Sequence, residues 1–172
     1  MVSLVPLMIT VQFAFIGTGI IDDQPAVDAM SRTGNRREIL RGPLFYGIVF
    51  VVLTVIYWRN NPVGIIALML MCGGDGFADI IGRRWGKTKL PFSKNKSWMG
   101  SLGMFFGGWI LSIFMISLFL IFGYFDRSSG YYVLNITILA LIGTIIESLS
   151  PIDFDNITVP AITVLIGSLI ID

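Results

Sequence analysis

The chain has 172 residues, 55% of them hydrophobic and only 13% charged, with a mean hydropathy of +0.81 and a formal net charge of +1. A soluble domain carries about twice that charged fraction, so the composition describes a polytopic membrane protein and leaves no global field to steer nucleic acid. Its single cysteine, Cys72, rules out an internal disulfide and a multi-cysteine metal site, and the lack of histidine removes Ser-His-Asp catalysis, histidine-bound metals and a histidine base.

Residues 1–21 are apolar and about as long as a bilayer requires, although Pro6 and Gln12 interrupt them. This opening lacks the basic start of a secretory signal and the Arg- and Ser-rich character of a transit peptide. Either no targeting segment exists or the chain begins inside a longer one. Residues 22–42 are polar and their charges cancel, and residues 28–40 are expected to form a short surface helix with Ala29, Met30 and Ile39 against the membrane. Residues 43–58 are wholly apolar up to Tyr57 and Trp58, which suit an aromatic belt. Asn60-Asn61-Pro62 is a turn.

Residues 63–82 span only if Asp75 and Asp79 are included, and Gly73, Gly74 and Gly76 predict a broken or loosened helix over residues 73–76. The two aspartates are four apart, so on a helix they share a face. Two like charges beside hydrocarbon are costly unless a cation joins them. A Mg²⁺ held by one or two carboxylates and by nucleotide phosphates does that. Six cations follow at once, Arg83, Arg84, Lys87, Lys89, Lys94 and Lys96, and suit the remaining phosphate charge. The combination reads as an intramembrane phosphotransferase site. Taken separately, Gly-Gly-Asp-Gly is also a common turn and a basic run is also a topology signal.

Residues 102–125 are the clearest span, with Gly103, Gly107 and Gly108 placed for close helix packing. After a turn at 126–130, residues 131–149 span again and carry Glu147 near their end. A loop through Asp153, Asp155 and Asn156 leads to a last apolar segment, 157–171, interrupted by Pro160. The expected fold is a single all-α domain over residues 1–172, a membrane bundle of about six spans. With that parity the loops 22–42, 83–100 and 150–156 fall on one side, together with the ends bearing Asp75, Asp79 and Glu147. The positive-inside rule turns this face toward the cytoplasm or a plastid stroma.

The run over residues 72–101 resembles the signature of the plant phytol and farnesol kinases, relatives of dolichol kinase among the CTP-using polyprenol kinases. Arg32-Thr33-Gly34, Glu38-Ile39-Leu40, Gly42-Pro43-Leu44, Glu147-Ser148-Leu149 and the run from Asp155 to Pro160 resemble the same proteins. The resemblance implies phosphoryl transfer from CTP to a prenyl alcohol, phytol first, in a chloroplast membrane, as salvage toward tocopherol. It implies that Asp75 and Asp79 hold Mg²⁺ and, with Glu147 and Lys96, form the catalytic set. Lys94, Lys96 and Ser97 would contact phosphate oxygens, with Gly74, Gly76 and Gly100 in the same phosphate-binding run. Arg83 or Arg84 would neutralise transition-state charge. Glu147, or Asp155 with Asn156, would accept the alcohol proton or bind nucleotide.

Plainer roles stand beside these: solvated Lys94 and Lys96, a structural pair of Glu147 with Arg83 or Arg84, and helix capping by Asp155 and Asn156. Family members have further spans and a histidine-containing basic segment upstream, which implies a chain shortened at its N-terminus, and the 150–156 loop departs from their pattern. The expected partners are a prenyl alcohol, a nucleoside triphosphate and the bilayer, with no nucleic acid; the sequence leaves the oligomeric state open. The alternatives are a farnesol or geranylgeraniol kinase, a cytidylyltransferase that makes a CDP-lipid, and a non-catalytic transporter or scaffold.

Overall fold

The computed structural model describes residues 2–151 and 153–171. Among them the chain forms α-helices and one two-stranded hairpin, the all-α membrane architecture that its composition demands. Four helical segments are long and apolar enough to cross a bilayer: Arg36–Ile56, Pro62–Trp85, Trp98–Ile121 and Ser129–Leu149. The first and last apolar helices, α1 (Leu4–Thr18) and α8 (Asp155–Ile170), have only 15 and 16 residues. At about 1.5 Å per residue neither matches a hydrocarbon core of about 30 Å. The six expected spans thus divide, among the described residues, into four of full length and two short ones.

The chain packs as two compact units. The first takes in Met1–Ile56 and Pro151–Ile157, the second Tyr57–Ser150 and Thr158–Asp172. In the first, α1 ends at Gly19, whose own N–H donates to the Ile16 carbonyl and whose φ of 81° lets the Ile20 and Ile21 N–H groups fold back onto that of Phe15. The single surface helix expected over residues 28–40 is replaced by two pieces. Helix α2 (Gln24–Met30) starts under an Asp23 cap, and a 3-10 turn, Arg36–Leu40, starts under an Asn35 cap. Gly34 at φ 77° reverses the chain between them, and the Glu38 carboxylate accepts the Arg32 and Thr33 N–H groups at 2.6 and 3.3 Å. These local bonds outcompete a continuous helix. The core of this part is Ile16, Val27 and Ile39, and Gly47 of α3 (Gly42–Ile56) lets Thr10 of α1 lie against its backbone.

In the second unit, Asn61 caps α4 (Pro62–Met69), accepting the Val63 N–H at 2.8 Å, with Pro62 at the first helical position. Leu70–Asp75 is a π-helical turn, and α5 (Gly76–Trp85) continues from it. The loosening expected over residues 73–76 takes this form, a widened turn rather than a break. Its glycines are used for packing against α6 (Trp98–Ile121). A Cβ added at Gly103 would lie 2.7 Å from the Phe77 carbonyl oxygen, and one at Gly107 2.7 Å from that of Gly73. Such backbone-to-backbone approach is how helices associate where lipid is as apolar as leucine. The opposite side of α6 exposes Leu102, Phe106, Ile110 and Phe114, four apart, as a lipid-facing stripe.

Helix α7 (Ser129–Leu149) joins α6 through the Trp109 indole, which donates to Thr137 Oγ1 at 2.9 Å. Val63, Ile66, Leu70, Met104, Ile136, Leu139 and Val159 form the buried centre. Pro160, expected to interrupt the last segment, is accommodated inside α8.

Candidate functional site

The basic stretch expected as an open loop is folded. Helix α5 runs on to Trp85, and β1 (Lys89–Leu90) then pairs antiparallel with β2 (Ser93–Ser97) around a Pro91–Phe92 turn. The last strand residue, Ser97, is also the cap of α6: its Oγ accepts the Gly100 N–H at 3.1 Å, and only 4% of Ser97 is exposed. Strand and helix are therefore joined without slack. Gly82 and Gly100 bring α5 and α6 together here: a Cβ on Gly100 would sit 3.3 Å from the Ala78 carbonyl oxygen, and one on Gly82 3.5 Å from the Gly100 Cα.

From β2, Lys96 reaches the C-terminal turn of α7. Its Nζ lies 2.7 Å from Glu147 Oε1 and also donates to the Glu147 main-chain carbonyl. The two side chains are 11% and 9% exposed. A cation over the last carbonyls of a helix also faces the negative end of its dipole. Desolvating both charges is expensive, so each depends on the other for its place. Glu147 had been expected to find Arg83 or Arg84 if its role were structural; Lys96 takes that place.

Asp75 closes the π turn and is half-buried, whereas Asp79 is exposed. At about 1.5 Å per residue Asp75 lies about 15 Å from Trp85 along the axis and Asp79 about 9 Å, so they step inward from the hairpin end. Gly76 lies between them with open space where a Cβ would be. Asp79 Oδ1 is 2.7 Å from Arg83 Nε in a pair whose side chains are 50% and 70% exposed, and the Arg84 guanidinium lies 5.0 Å from the Trp85 ring centre. An exposed pair at this spacing is worth about 0.3–0.5 kcal/mol, so a stronger ligand can displace Arg83. Among the described residues no three His, Cys, Asp or Glu side chains gather as a metal cluster. Mg²⁺ does not need one, since one or two carboxylates with phosphate and water oxygens complete its shell. Asp75 and Asp79, two carboxylates four residues apart, would be the ones to supply it. Lys94 is exposed, and Gly74 packs against Met104.

Asp155 and Asn156 belong to the first unit. Asp155 Oδ1 accepts the Asn156 N–H at 3.1 Å in the first turn of α8, and Asn156 Nδ2 donates to the Gly42 carbonyl at 3.3 Å. Beside them, Asp153 at φ 70° lies 4.0 Å from Arg32. The pairing of Arg32 with Asp153, 121 positions apart, leaves no local signal in the sequence. The second unit thus brings Lys96, Ser97, Gly100 and Glu147 to the end where Arg83, Arg84 and Lys94 emerge, while Asp155 and Asn156 are organised separately around Gly42.

Over nearly its whole length the chain is similar to curated plant proteins. It is 42% identical over 170 residues to a probable chloroplastic phytol kinase of Triticum aestivum, covering 98% of this chain and 57% of that protein. It is 39% identical over 171 residues to the chloroplastic farnesol kinase of Arabidopsis thaliana, covering 98% and 55%. With the chloroplastic phytol kinase 1 of Arabidopsis thaliana the identity is 36% over 165 residues, covering 95% and 54%. The resemblance read from residues 72–101 and their flanking motifs is borne out, and the chain spans about half the length of the curated relatives it matches. No family model matches the chain, and no solved structure matches it.

Proposed function

We propose that this chain forms a membrane-embedded kinase domain that phosphorylates the hydroxyl of a prenyl alcohol, phytol foremost, from CTP in a chloroplast membrane. The observation that carries this is the joining of the basic hairpin to the Glu147 end of α7 through buried Lys96; the hairpin follows directly on the π turn and α5 that carry Asp75 and Asp79. The named activities of the similar proteins, phytol kinase and farnesol kinase, supply the acceptor class.

In the reaction the alcohol oxygen bonds to the γ-phosphorus, the bond from that phosphorus to its bridging oxygen breaks, and CDP leaves. The alcohol proton passes to a carboxylate, for which Glu147 is the candidate within the second unit. Asp75 and Asp79 hold the divalent cation, which when bound draws charge from the phosphate oxygens. Such transfer depends chiefly on positioning and electrostatics. Arg83, released from Asp79, and Arg84 face the charge that builds on the transferring group. Lys94, which is exposed, faces the remaining phosphates, and buried Ser97 and Gly100, bonded to each other, fix the start of α6 beside it. Gly76, with no side chain to clear, leaves the α5 backbone approachable. Lys96 and Glu147 act as a pair, each fixing the other.

The test uses CTP labelled at the γ-phosphate and membranes containing this chain. Labelled phytyl phosphate with release of CDP is the expected outcome, and Asp75→Asn is expected to abolish it. Release of pyrophosphate would instead indicate a CDP-lipid-forming enzyme. If Asp75→Asn and Lys96→Ala both kept full activity, the site assignment would be wrong. Farnesol is the second acceptor to assay, because the farnesol kinase is as similar to this chain as the phytol kinases are.

A further inference from the structure

Between Asp79 and Asp126 the chain has no acidic residue, and all six cations of that interval lie from Arg83 to Lys96. The hairpin occupies the middle of this stretch and connects two helices long enough to cross a bilayer. Its five-residue strand extends at most about 17 Å, so its tip stays within that distance of the helix ends. The Lys96 bridge also ties the base of β2 to the end of α7. Three large aromatics nevertheless stand exposed: Trp85 at 52%, Trp98 at 54%, and Phe92 at the tip at 59%. Leu90 turns inward, at 5%.

Two features make the tip suited to a partly apolar medium. The strands pair at Leu90 with Ser93, beside the tip, and at Lys89 with Ser97, with an irregularity between the two, so the backbone next to Phe92 is paired. Pro91, beside Phe92, has no N–H to desolvate. Lys87 and Lys89 flank the aromatics and are exposed. Lys89 Nζ gives one hydrogen bond to the Asn95 carbonyl at 3.3 Å, leaving two of its three donors. Aromatic rings among unopposed lysines match an interface whose outer layer is anionic.

We propose that the hairpin is a lipid-docking element. Phe92, between Trp85 and Trp98, enters the interfacial layer, and Lys87 and Lys89 bind anionic headgroups of the same leaflet. The kinase reading uses Lys94, Lys96 and Ser97 of the same hairpin, whereas docking rests on Trp85, Lys87, Lys89, Phe92 and Trp98 and needs no turnover.

The test places a nitroxide at Phe92→Cys in a Cys72→Ala background, with the full chain in phosphatidylcholine bilayers with or without phosphatidylglycerol. Phosphatidylglycerol is expected to raise collision of the label with oxygen and lower collision with an aqueous nickel chelate. In those bilayers the ratio of immersed to water-exposed label is expected to fall about fivefold for each lysine removed in Lys87→Gln and Lys89→Gln, and Lys87→Arg with Lys89→Arg is expected to retain it. In the unmodified chain, phosphatidylglycerol is expected to slow tryptic cleavage after Lys87 and Lys89. A label equally wet in both bilayers would overturn the proposal, as would cleavage indifferent to lipid charge. So would a label that moves only on adding CTP with Mg²⁺, which would make the hairpin a phosphate-binding flap.

Discussion

Lys96 and Glu147 differ from every other charged pair of the site in being buried, and that difference sets what each substitution does. Removing one partner leaves the other charge without compensation in a poor solvent, a loss of about 3–5 kcal/mol. Lys96→Met and Glu147→Leu are each expected to lower the thermal midpoint in detergent sharply. The double variant, which restores neutrality, is expected to recover part of that loss; a double variant as unstable as the sum of the singles would show no coupling between them. The Asp79–Arg83 pair behaves oppositely because it is exposed. Asp79→Asn is expected to change stability by no more than about 0.5 kcal/mol while lowering kinase turnover about a hundredfold or more. Unfolding and the γ-phosphate assay on the same preparation separate the two effects, and an Asp79→Asn chain of undiminished activity would remove Asp79 from the metal site.

The π turn and α5 pack on α6 through glycines, but the glycines are not equivalent. At Gly103 a side chain would meet the Phe77 carbonyl, and Gly103→Val is expected to cost about 1–3 kcal/mol by forcing the helices apart. At Gly76 the backbone is already helical, with φ −58° and ψ −46°, and a Cβ would meet nothing within 4 Å. Gly76→Ala is therefore expected to gain about 0.5–1 kcal/mol. If the bare α5 backbone at this point receives phosphate, the same change lowers activity, so a variant more heat-stable yet slower would place Gly76 in the site. Equal gains in both would assign it to packing alone. The hydropathy of these helices was plain in the sequence, and the glycine spacing of α6 announced its packing face. The π turn was foreseen only as a loosening, because three glycines signal conformational freedom without saying how it is used.

At the scale of the whole chain, what was legible follows the range of the interactions. Four long spans follow from composition alone, since lipid exposure needs only apolar side chains at helical spacing. The short lengths of α1 and α8 did not, because apolarity continues past Thr18 while the helix is stopped by Gly19. The hairpin was hidden by its content: Lys-rich strands lack the alternating apolar pattern that marks a strand, and contacts such as the Ser97 cap and the reach of Lys96 to Glu147 fix it in place. That reach also simplifies the topology. Placing the hairpin and the end of α7 on one side requires only that α6 and α7 both cross, whatever the two short helices do. In a Cys72→Ala background, cysteines introduced at Asn95 and at Leu149 are therefore expected to react with an impermeant maleimide from the same side of sealed vesicles, and one introduced at Arg127 only from the other. The basic side is expected to be the side that holds nucleotide, by the bias of Lys and Arg. Labelling of Asn95→Cys and Arg127→Cys from one side would mean that α6 does not cross, and the hairpin would then have no reason to lie at a membrane surface beside Glu147.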